Sequence, residues 1–275
     1  MFPKQTFVAY FSPTHTSQAI ATAIAQGIGL PTDSQSLNVT YQNGSRMLQS
    51  DELLIAAVPV YGGAVAPIAL KRLEGLRGEG TPAVVVTLYG NRDFGKAPCE
   101  LSNFLTAKGF NVIAAAAFVG EHSYSTPQTP IAAGRPNATD LDEARTFGKL
   151  IGNKLKLGQA STIDASKLTC PHSGWLNLLR FASFVIGYRR KMKKHPIKIA
   201  PTADATRCNG CGRCARLCPT GAIDASKPQI TDATKCIKCA ACVKGCPQQA
   251  RSLNTPFAQP LAKNFKKNKP NVTLL

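Results

Sequence analysis

The chain has 275 residues, 44% hydrophobic and 17% charged, enough to bury one large domain and a small one. Its 33 basic against 15 acidic residues leave +18, a surplus that calls for an anionic partner, surface or ligand. No run of 18 or more apolar residues occurs, which argues against a transmembrane helix, and the opening "MFPKQTFVAYFS" reads as a first strand rather than a signal peptide, so a cytoplasmic location is expected.

Residues 1–158 alternate strand-like and helix-like patterns. Apolar strands are predicted at 6–11, 52–60, 82–88 and 112–119, with 34–39 as a further candidate. Helices are predicted at 16–29, 67–76, 97–108 and 140–157, the last capped by Thr139. This alternation predicts a doubly wound α/β domain with five parallel strands in the order 2-1-3-4-5. Ligands of such sheets sit beyond the C-terminal strand ends, so four loops matter. The first, "SPTHTSQ", carries Ser12, Thr14, Thr16 and Ser17 and then opens a helix, a setting for a phosphate dianion. It lacks the Gly-Lys-Ser/Thr ending of a P-loop, and a Rossmann glycine fingerprint is also missing. A capped helix start without a ligand is the plainer alternative. The loop after the third strand offers Pro59, Tyr61, Gly62 and Gly63; that after the fourth offers Tyr89, Gly90, Asn91 and Arg92. Aromatic rings, close backbone approach and an amide edge suit a flat ring system. After the fifth strand, "GEHSYS" sets Glu121, His122, Ser123 and Tyr124 either beside that ring or in a hydrogen-bonded turn.

Residues 159–200 read as a linker containing an amphipathic helix. Trp175, Leu178, Leu179, Ala182, Val185 and Ile186 share one face, and Arg189, Arg190, Lys191, Lys193 and Lys194 follow. The face is expected to pack on one or both domains; lying on an acidic membrane surface is the alternative.

Two rows follow, "CNGCGRCARLCP" at 208–219 and "CIKCAACVKGCP" at 236–247, both C-x2-C-x2-C-x3-C-P. This is the spacing of bacterial proteins with two [4Fe–4S] clusters, in which the fourth cysteine of each row ligates the other cluster. One cluster is assigned to Cys208, Cys211, Cys214 and Cys246, the other to Cys236, Cys239, Cys242 and Cys218. Structural zinc would use paired cysteines with a longer spacer, and disulfides disagree with the expected compartment. "CPTGAI" and "CPQQAR" close the two rows as an internal repeat. Cys99 and Cys170 lie outside the rows and read as incidental thiols. The domains are therefore expected at 1–158 and 201–255, with 256–275 a basic tail whose 263–269 run is solvated.

"YFSPTHT", "VYGG", "LYGNRDF", "GEHSY" and "RPNATDLDEARTFG", together with both cysteine rows, resemble the flavodoxin–ferredoxin fusion proteins of anaerobic microbes over about nine tenths of the chain. The resemblance implies FMN, its phosphate at Ser12, Thr14, His15, Thr16 and Ser17 and its ring between the loops of Tyr61 and Tyr89–Arg92, with His122 nearby. His15 departs from the family, which usually has glycine there. With both clusters and FMN the net charge falls to about +12, still suited to an acidic redox partner such as a ferredoxin, flavodoxin or reductase. No nucleic-acid recognition signature is present. The expected role is relay of single electrons between clusters and flavin; the alternative is an FMN-dependent reductase of a small acceptor or quinone.

Overall fold

Near-continuous apolar segments dominate the first half of the chain, and a computed structural model describing residues 2–38 and 45–275 places them in one sheet. The elements in order are β1 (Gln5–Tyr10), α1 (Thr16–Ile28), β2 (Thr32–Ser36), β3 (Arg46–Leu48), β4 (Glu52–Tyr61), β5 (Ala64–Val65), α2 (Pro67–Leu73), β6 (Leu76–Gly78), β7 (Thr81–Tyr89), α3 (Ala97–Thr106), β8 (Phe110–Val119), α4 (Ala138–Lys156), α5 (Trp175–Lys194), β9 (Thr202–Ala203), α6 (Arg213–Arg216), α7 (Ala241–Lys244), β10 (Arg251–Ser252), α8 (Ala258–Asn264) and β11 (Val272–Leu274). Val39, the end of the strand expected at 34–39, lies outside the described residues.

The chain divides into two compact units, and not at a single boundary. The first comprises Met1–Glu121, Gly134–Pro171 and Lys269–Leu275; the second comprises His122–Ala133 and His172–Asn268. The expected domains at 1–158 and 201–255 thus each gain a distant segment.

In the first unit the sheet path is β11-β8-β7-β4-β1-β2, with β5 paired to the end of β4. The steps β2–β1, β1–β4, β4–β7 and β7–β8 are all parallel. β7 is buried at every position and β4 over its first seven, as expected for strands covered on both faces. Chain direction across the sheet reverses between β1 and β4, which makes the loop after β1 the topological switch point. Among the described residues the sheet has seven strands rather than five. One addition is β5, which turns back on β4 through Gly62 and Gly63, both with positive φ as so short a turn requires. The other is β11, antiparallel to β8, with Val272 opposite Ala117.

α1 and α4 cover one face around Ile20, Ile24, Ala144, Phe147 and Ile151. They approach closely because both are glycine at the crossing: a Cβ on Gly148 would lie 2.1 Å from the Ile24 carbonyl oxygen. The cap of α4 is Asn137, not Thr139. Its side chain accepts from the Asp140 N–H, and Asp140 accepts from the Asn137 N–H, a reciprocal capping box.

The second unit has little regular structure. β9 and β10 pair antiparallel, and α6 and α7 are single turns that carry the third cysteine of each row, Cys214 and Cys242. Cys214, Ile223 and Cys242 form its centre. Each row is entered by the same turn, "DATRC" at 204–208 and "DATKC" at 232–236, in which an aspartate accepts from the threonine two places on. α5 packs through Phe181, Phe184 and Tyr188 against Phe257 and Phe265. The face expected to pack is the other one: Trp175, Leu178, Leu179 and Ile186 are exposed.

Candidate functional site

Within the first unit, the loop after β1 is built around Ser12. Its N–H donates to Asn38 Oδ1 (2.8 Å), its carbonyl accepts from Asn38 Nδ2 (3.0 Å), and its Oγ accepts from the Gln18 N–H (3.0 Å). Ser12 therefore anchors the loop and closes the first turn of α1, while its own hydroxyl hydrogen remains available to donate. His15 is the N-cap of α1 at φ 66°, ψ −2°. This is the left-handed region where glycine is free and histidine is tolerated, so the residue that departs from the resembled family still supplies the turn glycine would make. Its ring lies in solvent with Nδ1 3.2 Å from Gln18 Oε1. Thr14 and Thr16 are half-buried. Ser17 is 1% exposed, and its Oγ has no hydrogen-bond partner. A buried hydroxyl without a partner at the N-terminus of a helix is costly unless something else occupies that position.

The next two loops support one another. The Gly63 carbonyl accepts from the Lys96 N–H at 2.8 Å, and a Cβ on Gly95 would come within 2.3 Å of that same oxygen. Pro59 and Tyr61 are half-buried at the end of β4. Tyr89 is 2% exposed, edge-on to Phe94 at 5.4 Å, with its hydroxyl directed at the Pro270 carbonyl. Burial pushes its phenol far above the usual value, with the neighbouring Cys170 adding to the rise. Its ring is thus a packing residue, which corrects the expectation that it stacks; Tyr61 is the aromatic on the accessible side. Asn91, fully buried at φ 63°, accepts from the Lys269 N–H through Oδ1, so that edge is used inside the protein. The expectation of a solvated basic run ending at Lys269 is corrected too. Lys269 is 8% exposed, and its Nζ donates to the Arg92 carbonyl (2.6 Å) and lies 3.5 Å from Cys170 Sγ. Residues 269–271 brace the Tyr89–Arg92 loop from behind, a role that no sequence pattern announced.

His122 belongs to the second unit, where its Nδ1 accepts from the Tyr124 N–H and the two rings lie 4.8 Å apart. Tyr124 packs with Ile131, Leu261 and Phe265. Burial raises its phenol, and the nearby Cys236 and Cys239 raise it further.

In the second unit, Cys208, Cys211, Cys214 and Cys246 line one pocket, with Gly212, Pro228 and Arg251 among its walls. These are the four that spacing assigns together, three from one row and one from the other. Cys218, Cys236, Cys239 and Cys242 lie close enough to interact electrostatically. Burial pushes the Cys239 thiol up to about 12, and Cys236 and Cys242 are raised for the same reason. Thiols that resist ionisation alone are suited to a cationic inorganic core that replaces the proton. Among the described residues, no three donors converge on a point that would hold a single metal ion. Backbone N–H groups of Ala222 and Ala250 donate to Cys218 Sγ (3.2 Å) and Cys246 Sγ (3.3 Å), matching positions of the repeat.

The residue sequence reasoning missed is Arg251. It stands five places after Cys246, as Ile223 stands five places after Cys218. Ile223 is core; Arg251 is equally buried, at 4% exposure, but charged. Its guanidinium donates to the Pro228 carbonyl (2.5 Å), the Pro201 carbonyl (3.3 Å) and Thr231 Oγ1. Nη1 also points at Cys214 Sγ (3.9 Å), and the side chain reaches the Cys242 thiol, so one cation addresses a cysteine of each quartet. Nε has no partner. The signal was present as the isoleucine-to-arginine break in the repeat.

Residues 190–251 match the family described as "4Fe-4S dicluster domain". No curated protein sequence matches the chain. Among solved structures, similarity is found to a flavodoxin from the domain Archaea (17% identity, 55% of this chain and 99% of that one, TM-score 0.38). A flavodoxin of Streptococcus pneumonia TIGR4 (16%, 55% and 99%, TM-score 0.39) and an NAD(P)H:quinone oxidoreductase from Methanothermobacter marburgensis (12%, 56% and 96%, TM-score 0.36) are also similar. It is the parallel strand order, rather than likeness at this level, that assigns the first fold. The chain joins a doubly wound α/β unit of flavodoxin-like strand order to a segment of the 4Fe-4S dicluster family.

Proposed function

We propose that this chain is an electron-transfer protein that holds FMN in its first unit and two [4Fe–4S] clusters in its second, relaying single electrons between them. The observation that carries the flavin half is the unpartnered, buried Ser17 hydroxyl in a hydroxyl-rich loop at the switch point of the sheet. Ser12, Thr14, Thr16, Ser17 and the N-terminal amides of α1 would hold the phosphate, with His15 shaping the turn. Tyr61, Gly62, Gly63 and the Gly90–Arg92 backbone would border the ring. FMN supplies a carrier that stores two electrons and exchanges them singly. Cys208, Cys211, Cys214 and Cys246 would hold one cluster, and Cys236, Cys239, Cys242 and Cys218 the other. Placing both kinds of centre on one chain makes transfer intramolecular, so it no longer depends on encounter. The basic surface favours an acidic redox protein as the external partner.

Anaerobic purification followed by release and identification of flavin, with iron and sulfide analysis, tests the cofactor content. Protein that takes up no FMN on reconstitution refutes the reading. Cys208→Ala should retain FMN but lose cluster-fed flavin reduction in stopped flow; reduction at the native rate refutes the relay. Multiple turnovers of a quinone at the flavin, without a protein partner, would assign the reductase instead.

A further inference from the structure

α5 is 20 residues long, about 30 Å, and none of its residues is buried. One face is accounted for by the aromatic packing of Phe181, Phe184 and Tyr188. The opposite face carries Trp175, Leu179 and Ile186, spaced at i, i+4 and i+11, with exposures of 69%, 57% and 51%. Leu176 and Leu178 flank it at 48% and 38%. Isolated exposed leucines need no explanation, but a contiguous stripe with the chain's single tryptophan at its head marks an interaction site. The helix contains no acidic residue. Its cations are Arg180, Arg189, Arg190, Lys191, Lys193 and Lys194, five of them in the last two turns.

We propose that α5 is a peripheral membrane-docking helix whose Trp175–Leu179–Ile186 stripe enters the headgroup region of an anionic lipid surface while Arg189, Arg190 and Lys193 bind the phosphates. Charge selects this occupant. A second copy packed parallel would bring the same cations against these, and an antiparallel copy or a neutral apolar partner would leave them unused. An anionic bilayer accepts both the apolar stripe and the charge, and lysine and arginine stems can cover apolar surface while their heads reach the phosphates. Among the described residues no helix is long and apolar enough to cross a membrane, so contact would lie in the plane of the interface. The proposal does not depend on the flavin or cluster assignment. It places the redox centres on a surface where lipid-soluble or membrane-held electron carriers meet them.

The test is flotation of the anaerobically purified full chain with phosphatidylcholine vesicles and with vesicles of roughly three parts phosphatidylcholine to one of phosphatidylglycerol. Co-flotation with the anionic vesicles alone, lost in high salt, and a blue shift of Trp175 emission are expected. Leu179→Asp/Ile186→Asp and Arg189→Glu/Arg190→Glu should each lower the bound fraction at least tenfold, with cofactor content and circular dichroism unchanged because these positions are exposed. The proposal is overturned by no flotation, by equal binding to neutral vesicles, or by variants that bind as the parent does. It is equally overturned if vesicles leave the emission unchanged while it shifts with protein concentration alone, which would assign the stripe to self-association, or with an acidic protein or nucleic acid.

Discussion

Replacing Arg251 by isoleucine, the residue its own repeat carries at position 223, should lower the midpoint potential of both clusters. The guanidinium lies 3.9 Å from Cys214 Sγ and within reach of Cys242. One-electron reduction adds a negative charge to the thiolate-bound centre, and a fixed cation nearby favours the reduced form. At an effective dielectric constant of about 20, a full charge at that distance would interact by roughly 4 kcal/mol. The added electron is spread over iron, sulfide and four thiolates, so a third to a half of this, about 1.4–2 kcal/mol, is the expected effect. For a one-electron couple that corresponds to a fall of roughly 60–90 mV. Burial of the charge and its bonds to Pro228, Pro201 and Thr231 make the site structural as well, so Arg251→Lys is the control. It keeps the charge and should recover most of the potential even if it is less stable. The assay is an anaerobic redox titration followed by electron paramagnetic resonance, on protein whose iron and sulfide match the parent. Fully loaded Arg251→Ile with both midpoints unchanged would refute the reasoning. A shift in only one would show that Arg251 serves a single cluster.

Ser17→Ala should leave the flavin-free protein as stable as the parent or slightly more so, since it removes a buried hydroxyl with no partner. It should also weaken FMN binding about tenfold in a fluorescence titration, near 1.4 kcal/mol; unaltered affinity would take Ser17 out of the site. Asp140→Ala should cost about 3–5 kcal/mol in denaturant unfolding, because it leaves Arg135 buried without its partner and removes half of the capping box. Burial alone would raise the Asp140 carboxyl, but Arg135, Asn137 and Asn271 together hold it below its usual 3.8. Its contribution is therefore complete above that value and lost as pH falls through the folded one, so the parent's advantage over the variant should shrink in acid. Gly148→Ala sets helix propensity, worth about 1 kcal/mol in its favour, against a Cβ placed 2.1 Å from a carbonyl; the clash should win by about 1–3 kcal/mol, read as a lower midpoint of thermal unfolding.

The sheet was legible because β4 and β7 are nearly unbroken apolar runs between helix-period segments. Two of its strands were not. β5 is two residues long, and β11 is written as "VTL" after a basic stretch, so each is defined by the neighbour it pairs with rather than by its own pattern. Grouping of the cysteines followed from spacing alone, and the cavity gathers the same four. The loop after β1 was also legible as a phosphate site in its residue types, although that Ser12 holds the loop and Ser17 is left without a partner depends on Asn38 and Gln18. Tyr89 was misread because a place at a strand end does not say which way the ring turns, and the α5 stripe because periodicity tells which residues share a face and says nothing about whether anything covers it.

The chain passes between the two units four times, at 121/122, 133/134, 171/172 and 268/269. During synthesis, β8 acquires its outer neighbour, and the Tyr89–Arg92 loop its brace, only after residues 269–274 have been made. By then both cysteine rows have been synthesised. The order of translation therefore completes all eight cysteine positions before the sheet that would receive the flavin. The two halves are consequently poor candidates for separation by a single cut: a break after Pro171 would leave the first unit without its seventh strand.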